Sequence, residues 1–344
     1  MAIIHVNQHS LYTYRQPLQK KSNPFHASLY SKKKYNSNII NTGSAADTPW
    51  SNAFNFKRIW GTEIDPRTGI LSSHIKAGNL LSNWGHGPNI DLEINYSSNA
   101  YADTDKLGYG WKWNLTYFNP ITHQLTTSTG QNFYLQQKNN SQWFPLYHKL
   151  KDILIMTDKN HLIITYANGL RETLDDAGYE TSLEQQNGWS VHFFYQAGTH
   201  LLQSVTDDEH HSILLNYKEN YIKVISKNSE GQPVSVLIHK EKGKIRSITL
   251  PVQDNDYRYS IRFYYTGHLI TKVSYPTGLK KTFTYNCNDE MKIHRLVNKS
   301  AVSLCVVTAK TVDPGAGQPL MTTHYRYTQT NSNEHNYLGF NAGL

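Results

Sequence analysis

Five consecutive residues, Asp207-Asp208-Glu209-His210-His211, form the densest set of potential metal ligands in the chain. A metal site needs several such groups converging on one point. Adjacent side chains on a strand point to opposite faces, so neighbours converge only in a turn. The cluster falls where the surrounding pattern requires a turn, and the turn reading takes precedence. Asp91 and Glu93 are carboxylates two residues apart, which places both on one face of a strand. Glycoside hydrolysis uses a carboxylate pair. With Ile90, Leu92 and Ile94 on the opposite face, a solvated surface is the simpler account. Trp111 and Trp113 also share a face, and could serve as a platform for sugar rings or fill a core. There is no H-E-x-x-H, C-x-x-C, G-x-S-x-G or P-loop pattern. No catalytic, cofactor-binding or metal residue is assigned, and the chain is not expected to be an enzyme.

The strongest regularity is structural. Phe194-Tyr195 is followed by Gly198, then by His200-Leu201-Leu202-Gln203-Ser204-Val205-Thr206-Asp207, and the pattern closes at Tyr217. It returns as Tyr264-Tyr265, Gly267, residues 268–274, Gly278 and Tyr285, with a divergent copy at residues 243–249. Tyr195 to Tyr217 spans 22 residues and Tyr265 to Tyr285 spans 20. A unit this short cannot bury its own apolar face and must stack on its neighbours. The spacing predicts an extended, repeated β-structure.

Composition supports that picture. Tyr outnumbers Phe by 24 to 11, as suits strands with one wet face. The formal charge of +8 points first to an anionic partner. Residues 1–46, however, hold six basic side chains and no acid, leaving 28 basic against 26 acidic residues in the remainder. The basicity belongs to the N-terminal segment, and no nucleic-acid groove is expected. Two cysteines, Cys287 and Cys305, are too few for a disulfide framework and fit synthesis in a reducing compartment, with Cys305 read as a buried core residue. No apolar run has signal-peptide or membrane-span length. Export, if it occurs, is expected through a dedicated machine or as cargo.

Along the chain, residues 1–58 are polar, basic and aperiodic and read as a disordered tail. Residues 59–150 form a Trp-rich β entry or cap, since all seven Trp lie between Trp50 and Trp189. Residues 151–344 carry the β-repeats. Clean strand alternation runs over 90–96, and 124–135 reads as a hairpin about Gly130. Further strands are expected at 161–166, 169–174, 190–195, 212–217, 221–226 and 233–239. No amphipathic helix is evident, so the chain is all-β.

The motifs Ile64-Asp65-Pro66-Arg67-Thr68-Gly69 and Gly108-Tyr109-Gly110-Trp111 resemble the N-terminal entry of RHS/YD-repeat proteins, closest to the toxin-complex branch. Asp313-Pro314-Gly315-Ala316-Gly317-Gln318-Pro319, the strand 323–327 and Asn336-Tyr337-Leu338-Gly339-Phe340 are similar to the same branch. Turn chemistry explains these residues without the family, because Pro fixes φ and Gly supplies conformations other residues avoid. The structural residues singled out are Asp65, Pro66, Gly69, Gly108, Gly110, Trp111, Tyr195, Tyr217, Tyr265, Tyr285, Pro314 and Gly315. The resemblance implies a strip of short antiparallel strands winding into a hollow shell that encloses a toxin polypeptide. It also implies a longer repeat array than ends at Leu344, and therefore a shell completed by a second RHS-type chain. A glycan is the alternative partner, through Trp111 and Trp113.

Overall fold

The computed structural model describes residues 3–6, 60–66, 68–100, 103, 105–139, 141–146, 152–228, 230–254, 257–287, 292–294 and 301–327. Within them the chain is all-β, with antiparallel pairing throughout and a single short 3-10 turn at Ser82–Gly85. The first strand, β1 (Ile3–Val6), pairs with the last. These four residues of the expected tail therefore lie in a sheet, and residues 7–58 fall outside the described residues. A four-stranded sheet follows, formed by β2 (Trp60–Ile64), β3 (Leu71–Leu80), β4 (Ile90–Ser97) and β5 (Trp111–Trp113).

Among the described residues, every strand from Tyr117 onward belongs to one long meander, apart from one detached hairpin. It opens with β6 (Tyr117–Asn119), β7 (Gln124–Thr126), β8 (Asn132–Asn139), β9 (Gln142–Pro145) and β10 (Ile153–Asp158). It continues through β11 (His161–Tyr166), β12 (Arg171–Leu174), β13 (Glu180–Glu184), β14 (Ser190–Gln196) and β15 (Leu201–Asp207). Next come β16 (Ser212–Tyr217), β17 (Tyr221–Lys227), β18 (Pro233–Glu241), β19 (Lys244–Asp254), β20 (Tyr257–Thr266), β21 (Leu269–Ser274) and β22 (Lys280–Asn286). The hairpin of β23 (Lys292–His294) and β24 (Ala301–Ser303) stands apart. The sheet passes it by, because β22 pairs directly with β25 (Val306–Asp313), and β25 with β26 (Met321–Arg326). With β1 added, the strip has twenty strands.

Alternation creates the faces. Ile90, Leu92 and Ile94 are buried while Asp91 is exposed, and Ile222 and Val224 turn inward while Tyr221 faces out. The four-stranded sheet packs on the inner face of the strip: Ile75, Leu92, Ile94 and Trp111 share a core with Val205, Ile213, Ile238 and Phe263. A second core sits at the start of the strip, where Phe118, Leu125, Phe133, Ile155, Ile164 and Leu174 meet. It can exist because the strip curls back on itself. Tyr117 bridges Tyr179, and the Phe118 N–H donates to the Gly178 carbonyl at 2.9 Å. Contact is limited to this seam, so the curled end is not a closed barrel.

Cys287 and Cys305 form a disulfide, which corrects the expectation of a reduced pair with a buried Cys305. Cys305 is half-buried and Cys287 exposed. The reason is register. Tyr285 opposes Val307 and Asn286 opposes Val306, so the next facing pair is Cys287 and Cys305, with Cα atoms 4.1 Å apart.

The seam makes one glycine indispensable. Gly178 has φ +89°, and an added Cβ would fall on the Phe118 carbonyl oxygen. Gly188 has a similar φ of +86° with open space around it. Gly188→Ala is expected to cost about 1 kcal/mol, from left-handed strain alone. Gly178→Ala should cost at least about 2 kcal/mol more, because the seam itself must move. Urea denaturation of both variants measures the difference, and equal costs would mean that the seam contributes nothing.

Candidate functional site

The repeated tyrosines act on defects in the sheet ladder. At five strand pairs between β12 and β25 the register slips by one residue, leaving Thr181, Gln203, Arg246, Thr271 and Thr308 as the extra residue of a β-bulge. The residues across the slip are Leu174 with Glu180, Tyr195 with Leu202, Lys240 with Ile245, Tyr265 with Ile270, and Tyr285 with Val307. A bulge disrupts the ladder locally, and buried carbonyls there still need a donor. The tyrosines supply it. Tyr195 donates its hydroxyl to the Glu180 carbonyl, Tyr265 to Ile245 and Tyr285 to Ile270, each at 2.8 Å. Tyr327 continues the series onto Val307 at 2.7 Å. Four of the five bulges are thereby tied to the strands that follow them.

The bulge residues add a second tie. Thr181, Thr271 and Thr308 donate their hydroxyls to the carbonyls of Thr173, Tyr264 and Thr284, at 3.0, 3.3 and 3.3 Å. In the divergent copy Lys240 stands where the others have Tyr, and its ammonium instead donates to the Lys106 carbonyl at 2.9 Å. Burial pushes the Tyr195, Tyr217, Tyr265 and Tyr285 phenols above the ordinary tyrosine range. They stay protonated donors at all ordinary pH.

The four-stranded sheet clips onto this ladder. The Trp111 indole N–H donates to the Tyr265 hydroxyl at 3.1 Å and Trp113 to Tyr217 at 3.2 Å. Tyr96 donates to the His268 carbonyl at 3.2 Å and accepts from the Ile270 N–H at 3.1 Å. Trp111 and Trp113 are only 1% and 4% exposed. This corrects their reading as a sugar platform: both rings fill the interface between the sheets and present no face to a ligand.

The motif residues at the entry serve the same interface. Gly108 adopts φ +101°, and a Cβ there would lie 2.6 Å from the Gly243 carbonyl oxygen, so the β5 approach runs backbone against backbone. Gly110 accepts the Ser97 N–H at 2.9 Å. Asp65 and Gly69 close a turn at 2.8 Å, with Pro66 half-buried inside it, and the Gly69 carbonyl accepts the Val307 N–H at 2.8 Å. Near the far end, Gly315 donates to the Asp313 carboxylate at 2.9 Å in the turn that contains Pro314. Residues 336–340 lie outside the described residues.

The acidic cluster is a turn with a structural task. The Asp207 side chain is fully buried and accepts the Asn83 N–H at 2.6 Å, the His211 N–H at 2.7 Å and the His211 Nδ1 at 2.9 Å. It pins the Ser82–Gly85 turn, where Asn83 and Trp84 hold φ of +49° and +56°. Among the described residues no three His, Cys, Asp or Glu side chains converge as metal ligands. Asp91 pairs with Lys76 on the surface, in line with a solvated face.

Ser190, His192 and Asp208 have the composition of a catalytic triad but not its wiring. Asp208 accepts both the Ser190 N–H at 2.7 Å and its hydroxyl at 2.9 Å, while the one imidazole nitrogen Nε2 faces Ser190 at 3.1 Å and Asp208 at 3.4 Å. A triad needs the carboxylate on one ring nitrogen and the nucleophile on the other. Burial tends to raise the Asp208 carboxyl, but the Ser190 donors and His192 outweigh it and hold it below its ordinary value. The group is a surface turn clasp.

No family model and no curated protein matches the chain. Among solved structures it is similar to "Crystal Structure of TcdB2-TccC3", at 9% identity and a TM-score of 0.37, over 74% of this chain and 16% of that one. It is also similar to a porin-like protein from Bacteroides uniformis ATCC 8492, at 13% identity and a TM-score of 0.26, over 76% of this chain and 99% of that one. The chain thus spans a small part of the length of the first of these structures. No helix among the described residues is long and apolar enough to cross a membrane.

Tyr265→Phe removes one hydroxyl that serves two partners, Ile245 and Trp111, and should destabilise by about 1–3 kcal/mol. Tyr221→Phe, on the outer face, should stay within about 0.5 kcal/mol of the parent. A double-mutant cycle of Tyr265→Phe with Trp111→Phe should give a coupling of at least about 0.5 kcal/mol. Additive losses would show that the two sheets are not joined through this bond.

Proposed function

We propose that the chain is a non-enzymatic wall segment of an RHS/YD-repeat β-shell that encloses, or helps deliver, a bacterial toxin polypeptide. The observation that carries this reading is the tyrosine-to-bulge ladder on a continuous twenty-stranded meander. It gives physical sense to the Tyr spacing from which a repeated β-structure is expected. Such a wall gains stability repeat by repeat and needs no reactive centre. The four-stranded sheet, with β3 packed against β16, β17 and β18, supports the role of a plug that covers an otherwise open apolar inner face. The partner is the toxin polypeptide itself or a second RHS-type chain that completes the wall. Synthesis takes place in the bacterial cytoplasm, with delivery by a specialised secretion system or toxin complex.

The test is affinity purification of the tagged full chain from its native bacterium, with mass spectrometry of what accompanies it. A YD-repeat chain or a toxin polypeptide in fixed stoichiometry is the expected result. Recovery of the chain alone and monomeric would remove the shell reading.

A further inference from the structure

We propose that Thr116, Glu172 and Glu180 form a proton-operated latch on the seam that joins β6 to the turn between β12 and β13. Both carboxyl groups are buried, each residue being 2% exposed. Thr116 links them: its N–H donates to Glu180 Oε2 at 2.8 Å, and its hydroxyl hydrogen-bonds Glu172. The same hydroxyl accepts the Ser128 N–H at 2.9 Å, and Tyr166 donates to Glu172 Oε2 at 2.9 Å. Two residues on, the Phe118 N–H meets the Gly178 carbonyl at 2.9 Å. Closing the seam therefore requires both carboxyls to enter the same dry site.

The groups that face this site are phenols and acids. Tyr166 comes from β11, Tyr117 from β6, Tyr179 from the turn and Tyr195 from β14, with Asp105 and Asp175 farther out. His200 stacks on Tyr179 with ring centroids 4.6 Å apart, not on either carboxyl. Among the described residues, no lysine, arginine or histidine acts on Glu172 or Glu180. Ionising both acids would bury two like charges without a cation, which is strongly unfavourable. Burial accordingly pushes Glu172 up to about 7, and burial together with Glu172 pushes Glu180 well above its ordinary value.

The direction of the linkage follows. In the closed seam the carboxyls keep their protons, whereas in an open seam they meet water and ionise near 4.5. Proton linkage therefore favours the closed state fully below about pH 4.5. That contribution is lost as pH rises toward about 7, and Glu180 extends the loss higher. Opening would release the edge of β6 and expose the core of Phe118, Leu125 and Ile164.

Hydrogen exchange of the full chain reads this directly through the amides of Thr116 and Phe118. After correction for intrinsic exchange, their protection should be roughly thirtyfold higher at about pH 5.5 than at about pH 8.5, while β20 to β22 amides change little. Glu172→Gln should lose part of the pH dependence, and Glu172→Gln with Glu180→Gln, which keeps the shape without either charge, should retain high protection at both values. Equal protection of the parent seam at the two pH values would overturn the latch without recourse to any variant. A Glu172→Gln chain that kept the full pH dependence would overturn it as well.

Discussion

Each bulge in the strip leaves a backbone carbonyl that the neighbouring strand cannot serve, and the wall depends on meeting that need. A buried carbonyl without a donor costs on the order of 1–3 kcal/mol. A sheet with five such slips would be a poor support unless something answered them. The phenol of the next hairpin does so at four of these places in the described residues. Ordinary alternation puts Tyr195, Tyr265 and Tyr285 on the inner face, two residues after the buried Phe193, Phe263 and Phe283, where each can reach across. Defect and remedy are thus one device, and its repetition sets the spacing of the sequence.

That device also explains how two sheets become one body. The Tyr265 phenol both donates to its bulge and accepts from the Trp111 indole, so one oxygen joins strand to strand and strip to plug, and Tyr217 accepts from Trp113 alongside it. Apolar burial supplies most of the attraction between the layers, as non-directional forces do. The indole and phenol bonds fix where the layers stop sliding. Asp207 and the Asp65–Gly69 turn perform the same positioning at two other places on the contact.

Much of the wall was legible because it repeats. Tyr195 to Tyr217 and Tyr265 to Tyr285 are nearly equal intervals, and the alternation of Ile90, Leu92 and Ile94 marks a strand directly. Lys240 shows the limit, since it occupies a tyrosine position and only strand register reveals it. Trp111 and Trp113 were correctly placed on one face, but nothing in the sequence says that the face meets a second sheet. Cys287 and Cys305 are separated by 18 residues and become partners only through the pairing of β22 with β25. Glu172 offered a clue: its spacing of two from Leu174 puts it on the buried face of β12. Glu180 gave none, because its place depends on a bulge and on a curl eight strands long.

The detached hairpin of β23 and β24 carries a lesson about growth. Between β22 and β25 the chain leaves the wall, makes its own small structure and returns, and the Tyr285 bulge forms as if nothing had intervened. The Cys287–Cys305 bond closes the base of this excursion at the point where it departs. Such a junction isolates what lies beyond it from the pairing on either side. An evolving chain could lengthen, exchange or decorate that outgrowth while every rung of the wall kept its neighbour. A hairpin turn is then less a connection than a port, through which new surface can be added to an old enclosure.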